Sequence, residues 1–99
     1  MYGYSPMHAS RDQFQCLAKV ENPLGLHARP AAEIATFIKS LEGVSVKLRC
    51  GESEAEGDSI LQILFLCAQQ GAEVQIIATG KNAREAAQGV RDIIQGQAG

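Results

Sequence analysis

The stretch VSVKLRCGESEAE, residues 44–56, decides what kind of sheet this chain can form. Val44, Val46 and Leu48 alternate with Ser45, Lys47 and Arg49, the two-residue period of a strand with one wet face, and its β-branched residues suit a pleated surface. Cys50-Gly51-Glu52 reads as a tight turn. Residues 53–56 then read as a short, polar strand folding back on its neighbour, its polarity suiting an edge position. A hairpin of this kind excludes an all-parallel sheet.

Outward from the hairpin, the periods change twice upstream and three times downstream. Upstream, Gly43 is expected to end a helix in which Ile34, Phe37, Ile38 and Leu41 share one face, with Pro30 suited to its first turn. Before it, FQCLAKVE (residues 14–21) approximates a half-buried strand, interrupted by Asn22-Pro23-Leu24-Gly25. Downstream, Asp58-Ser59 offers a side-chain oxygen to start a short helix carrying Ile60, Ile63 and Leu64, which Gly71 is expected to close. Ala72, Val74, Ile76 and Ala78 form the clearest strand pattern in the chain. Asn82, three residues before Glu85, resembles a capping box, followed by Ala83, Ala86, Ala87, Val90 and Ile94 at helical spacing. Gly89 inside that helix costs about 1 kcal/mol relative to Ala, which predicts close packing against a neighbour. The expected fold is an α+β, open-faced two-layer sandwich: a mainly antiparallel four-stranded sheet with three helices on one face, in the order β-α-β-β-α-β-α.

Ninety-nine residues give one domain, with 45% apolar and 20% charged residues near globular averages. Residues 1–12 carry no period and are expected to be a disordered extension of a domain spanning 13–96, which sets His8 aside from chemistry. The longest apolar run, residues 63–68, is too short for a membrane span, and no signal-like segment opens the chain, so a cytoplasmic protein is expected. A net charge of −2 with three Phe, two Tyr and no Trp argues against nucleic acid as a partner. Cys16, Cys50 and Cys67 are odd in number and lie in or beside apolar runs, so they are expected to be small buried apolar residues rather than a disulfide framework. No Cys or His pair has zinc-site spacing, and neither metal nor cofactor is expected.

Chemistry concentrates in GLHARPAA, residues 25–32, where His27 and Arg29 open a helix. Free N–H groups and partial positive charge at a helix N-terminus suit a phosphoryl group carried on His27. The Arg29 guanidinium can add charge-assisted hydrogen bonds to the same oxygens. On spacing alone, a capping or surface histidine beside a solvated arginine is the blander alternative. GLHARPAA, after a strand and Asn-Pro-Leu, resembles the active-site signature of HPr, the histidine phosphocarrier of the bacterial phosphotransferase system. The resemblance covers roughly residues 16–94 and includes the element order.

The resemblance implies that His27 accepts a phosphoryl group, through Nδ1, from enzyme I charged by phosphoenolpyruvate, and passes it to a downstream EIIA-type acceptor. It implies that Arg29 stabilises the phosphate and that Ser59 is the position modified in some bacteria by a dedicated ATP-dependent HPr kinase/phosphorylase. A plain N-cap is the other reading of Ser59. A docking patch maps to Ala28, Ala32, Ile60, Leu61 and Leu64; Ile60 and Leu64 could equally be core, and Leu61 is the better candidate for exposure. Asp58 departs from the basic residue common in the family before the serine. The Glu54-Ala55-Glu56 approach, the Ile60-Leu61 pair and the segment before residue 13 leave the nitrogen-related branch open beside the sugar branch. Docking on one face is compatible with a monomer. Two other classes stand against the relay: a regulatory binding module acting through phosphorylated Ser59, and a small enzyme using His27 as acid or base. The latter needs an orienting carboxylate, and Glu33 is expected to project away along the polar side.

Overall fold

The computed structural model describes residues 13–96; residues 1–12, with the expected extension and His8, lie outside the described residues. Four strands, β1 (Gln13–Lys19), β2 (Val44–Cys50), β3 (Ser53–Glu56) and β4 (Glu73–Gly80), alternate with three helices, α1 (Ala28–Lys39), α2 (Ile60–Phe65) and α3 (Ala83–Ile94). The chain order is β-α-β-β-α-β-α, as expected. The sheet order is β1-β4-β2-β3, and every pairing is antiparallel.

Strand alternation sorts the side chains into two layers. Ala18, Val46, Leu48, Ala55, Val74, Ile76 and Ala78 are buried on one face. The other carries Gln13, Gln15, Ser45, Lys47, Arg49, Gln75 and Thr79 and stays open. Onto the apolar face α1 brings Pro30, Ala31, Ile34, Ala35 and Ile38, α2 brings Ile63, and α3 brings Ala83, Ala86, Ala87, Val90 and Ile94. Gly89 lets α3 approach α1, since a Cβ there would overlap the Phe37 ring.

Four local readings are corrected. Helix α1 stops at Lys39 rather than running to Gly43, because Ser40 Oγ donates to the Phe37 carbonyl at 2.6 Å and closes the last turn. Helix α2 is likewise capped early, at Leu66; Cys67 takes φ +54 there, and Gly71 serves the turn into β4. Asn82 starts α3 in the left-handed region, φ +56, and its side chain makes no capping hydrogen bond, so the Asn82/Glu85 box does not form. The cysteines are not a buried set: Cys16 and Cys50 are half-buried and Cys67 is exposed. Burial pushes the Cys16 thiol up, with the Arg91 charge partly opposing it.

Candidate functional site

The loop between β1 and α1 is held at both of its ends by the connection between α2 and β4. Past β1, Val20 stays in register with the segment before β4, donating to the Ala72 carbonyl and accepting from Gly71 N–H at 2.9 and 2.8 Å. Asn22-Pro23-Leu24-Gly25 then turns the chain: Gly25 N–H donates to the Asn22 carbonyl at 2.8 Å, and Leu24 N–H to Asn22 Oδ1 at 2.9 Å. Leu26, buried, donates its N–H to the Ala68 carbonyl at 2.9 Å, which ties the loop to the segment following α2. His27 is therefore delivered to the start of α1 from a loop anchored at both ends to one connection.

His27 is the N-cap of α1, extended at φ −88 and ψ −168, and its side chain does not cap. Its carbonyl accepts the first helical N–H, from Ala31 at 3.1 Å. Pro30 has no N–H to offer, so the donors without an intrahelical acceptor in this first turn are the Ala28 and Arg29 N–H groups. They lie directly after the imidazole in the chain. Its ring occupies a shallow depression of about 420 Å³ lined by Asn22, Leu24, Arg29, Pro30 and Glu33, with Ile93 near the end of α3 and Gly96 just beyond it.

Glu33 belongs to this depression, contrary to expectation. Its position four residues after Arg29 puts both side chains on one helix face, and Arg29 Nε stands 3.6 Å from Glu33 Oε2. The Arg29 side chain is 80% exposed, so this contact holds it weakly and the guanidinium can swing to an incoming anion. Among the described residues the hydrogen-bond partner of the imidazole is not a carboxylate but the Asn22 amide, whose Nδ2 lies 3.3 Å from His27 Nε2.

Beside α1 packs α2. Ser59 stands at its leading end, half-buried, its Oγ accepting Gln62 N–H at 3.2 Å. Of the residues mapped as a docking patch, Ala28, Ile60 and Leu61 are exposed, whereas Ala32 and Leu64 are half-buried, Leu64 against the core. The largest exposed apolar side chains here are two that sequence reasoning passed over: Leu24 at 73% and Phe65 at 71%, beside Leu61 at 60%. Phe65 follows Leu61 by four residues, a spacing that signals a shared face. Asn22 was also passed over; the Asn-Pro-Leu-Gly run marked its turn but not its reach to the ring. Among the described residues no three His, Cys, Asp or Glu side chains gather to hold a metal, and no helix is long and apolar enough to cross a membrane.

Comparison with known proteins follows the same outline. Residues 15–96 match the family described as PTS HPr component phosphorylation site. The phosphocarrier protein NPr of Proteus mirabilis is 37% identical over 68 residues, covering 68% of this chain and 74% of that protein. The phosphoryl donor subunit DhaM of the PEP-dependent dihydroxyacetone kinase of Providencia stuartii is 36% identical over 76 residues, 77% of this chain. This chain spans only 16% of DhaM's length. In fold, the chain is similar to the phosphocarrier protein HPr of Bacillus anthracis, with a TM-score of 0.78 at 24% identity, over 84% of this chain and 98% of that one. The element order, the sheet order and a histidine opening α1 thus meet a sequence match over nearly the whole described chain, and the chain belongs to the HPr family of phosphocarriers of the phosphotransferase system.

Proposed function

We propose that His27 is the carrier residue, taking a phosphoryl group from phosphoenolpyruvate-charged enzyme I and passing it to a downstream EIIA-type acceptor. The observation that carries this reading is the placing of the imidazole at the start of α1, in an open depression, immediately before two N–H groups that have no helical acceptor. As the donor's bond to phosphorus breaks, one forms to the His27 ring. The Ala28 and Arg29 N–H groups and the Arg29 guanidinium then meet the phosphoryl oxygens. DhaM, whose name describes a phosphoryl donor in a PEP-dependent system, supports the same direction of flow.

Ala28, Ala32, Ile60, Leu61 and Leu64 form the docking surface in this reading, widened by Leu24 and Phe65. Phosphorylation of Ser59 by an HPr kinase would set a dianion beside Ile60 and Leu61 and weaken docking by charge and desolvation. The protein works in the cytoplasm, where phosphoenolpyruvate is available, and docking through one face needs no second copy.

Intact-mass measurement after incubation with enzyme I, magnesium and phosphoenolpyruvate tests the relay. The expected result is one acid-labile phosphoryl group on the wild type and none on His27→Ala. A folded wild-type protein that stays unmodified by an active enzyme I from the same organism refutes the relay and leaves the Ser59-centred regulatory module.

A further inference from the structure

Two contacts decide which way the Asn22 amide points. Its Oδ1 accepts Leu24 N–H at 2.9 Å, within the turn that Gly25 N–H and the Asn22 carbonyl close. The amide nitrogen is therefore the end that faces His27 Nε2, at 3.3 Å. An amide NH2 can only donate. It matches a lone pair on Nε2 and opposes an N–H there.

We infer that Asn22 is a positioning residue that keeps Nε2 of phosphorylated His27 unprotonated and so lengthens the lifetime of a phosphoryl group carried on Nδ1. The inference rests on the reading of His27 as the carrier. With the amide covering Nε2, Nδ1 is the ring nitrogen left for phosphorus. Loss of the group to water forms an O–P bond as the P–Nδ1 bond breaks, and the electron pair returns to the ring. If Nε2 carries a proton, the ring departs as neutral imidazole; if it does not, it must depart as imidazolate, a much poorer leaving group, and take its proton from water afterwards. Orthophosphate is the other product in both cases. A donor aimed at Nε2 disfavours the faster route.

Charged neighbours do not override this arrangement. Arg29 and Glu33 are the charged residues lining the depression, and they face each other as a pair of opposite sign; Leu24 and Pro30, Ile93 of α3 and Gly96 just beyond it bring no charge. In the unphosphorylated neutral ring the same contact places the proton on Nδ1. That proton must leave before Nδ1 attacks, so the device that protects the product also slows loading.

Phosphoramidate loads histidine without any partner protein, which keeps this test independent of enzyme I. Wild type, Asn22→Ala and Asn22→Asp, each in a His8→Gln background that leaves His27 as the single histidine, are phosphorylated with it, and phosphohistidine is followed at neutral pH by phosphorus NMR, with nitrogen NMR of the unmodified ring reporting the tautomer. Asn22→Asp is the informative variant, because it keeps an acceptor for Leu24 N–H but turns the donor facing Nε2 into an acceptor. The expected result is an Nδ1–H tautomer and Nδ1 adduct in the wild type, with lifetime shortened roughly two- to tenfold in Asn22→Ala and further in Asn22→Asp. In strong base, where no variant holds a proton on Nε2, the lifetimes converge. Equal lifetimes at neutral pH in folded proteins, a longer-lived Asn22→Asp adduct, a wild-type adduct on Nε2 or an Nε2–H resting ring each overturn the inference. Failure of enzyme I to charge the protein counts against the relay alone and leaves these lifetimes measurable.

Discussion

A Cβ added to Gly25 would stand 2.5 Å from the Ala68 carbonyl oxygen, the same oxygen that accepts Leu26 N–H, and Gly25 already holds φ +73. Gly25→Ala therefore meets two penalties, about 1–2 kcal/mol for a left-handed alanine and about 1 kcal/mol or more for the disturbed hydrogen bond. Denaturant unfolding should show a loss of about 2–4 kcal/mol. Gly51→Ala is the control: φ is +62 but nothing lies within 4 Å, so it should lose only the backbone share, about 1–2 kcal/mol. Equal losses at the two positions would mean that the Ala68 carbonyl yields freely and does not lock the His27 loop. At this scale the sequence was informative where chemistry is local. His27 and Arg29 are two apart and open a helix together, so their place in one depression could be read directly. Asn22 is only five positions from His27, but it meets the ring through a turn whose geometry depends on Gly25 and on Ala68, a residue more than forty positions away, so the spacing alone does not signal the contact.

Helix α2 is six residues long and depends on its cap more than a longer helix does. Ser59 Oγ takes Gln62 N–H, while Gln62 Oε1 reaches back to accept Glu56 N–H at 2.9 Å, a reciprocal arrangement close to a capping box. Ser59→Ala should lose about 1 kcal/mol of stability in thermal or chemical unfolding, whereas Ser59→Asp, which retains an acceptor, should lose little. If Ser59 governs docking, Ser59→Asp should nevertheless be charged more slowly by enzyme I than the equally stable wild type. Rapid charging of Ser59→Asp would reduce Ser59 to its capping role. The element order was legible because strands and helices impress different periods on the apolar residues. The caps were less so. Asn82 and Glu85 have the spacing of a box, but the chain reaches α3 through a left-handed Asn82 whose side chain makes no capping bond; Ser59 and Gln62 have the same spacing and form half of one, Gln62 reaching Glu56 N–H rather than Ser59 N–H, and the signal was passed over. Element ends were displaced for a related reason, since Ser40 closes α1 through its own hydroxyl before Gly43 is reached.

Among the described residues four large apolar side chains are more than half exposed, and all but Leu17 of β1 lie on α2 or the His27 loop. Leu61 and Phe65 of α2 and Leu24 of the His27 loop are more than half exposed, although the domain has a complete core elsewhere. Such residues are cheap to replace in the isolated protein and costly in a complex. Leu61→Ser and Phe65→Ser should each leave the Tm within a few degrees of wild type and raise the KM for charging by enzyme I roughly tenfold, the effect of losing about 1.4 kcal/mol. An unchanged KM for both would move the docking surface away from α2. Exposure of Phe65 was hidden in the sequence by its place inside the longest apolar run, where burial is the default reading; only the rotation of α2, set by Ile63 entering the core, turns Leu61 and Phe65 outward. The sheet order has a further consequence for biosynthesis. Strand β4 lies between β1 and β2, pairing Gln13 with Thr79 and Val44 with Gly80, yet it is the last strand to be made. A chain leaving the ribosome can close the β2–β3 hairpin early, but β1 has no neighbour until residues 73–80 emerge, and the anchors of the His27 loop at Ala68 and Ala72 arrive at nearly the same moment. A nascent carrier is thus expected to be unable to take part in relay until residues 73–80 have been translated and paired.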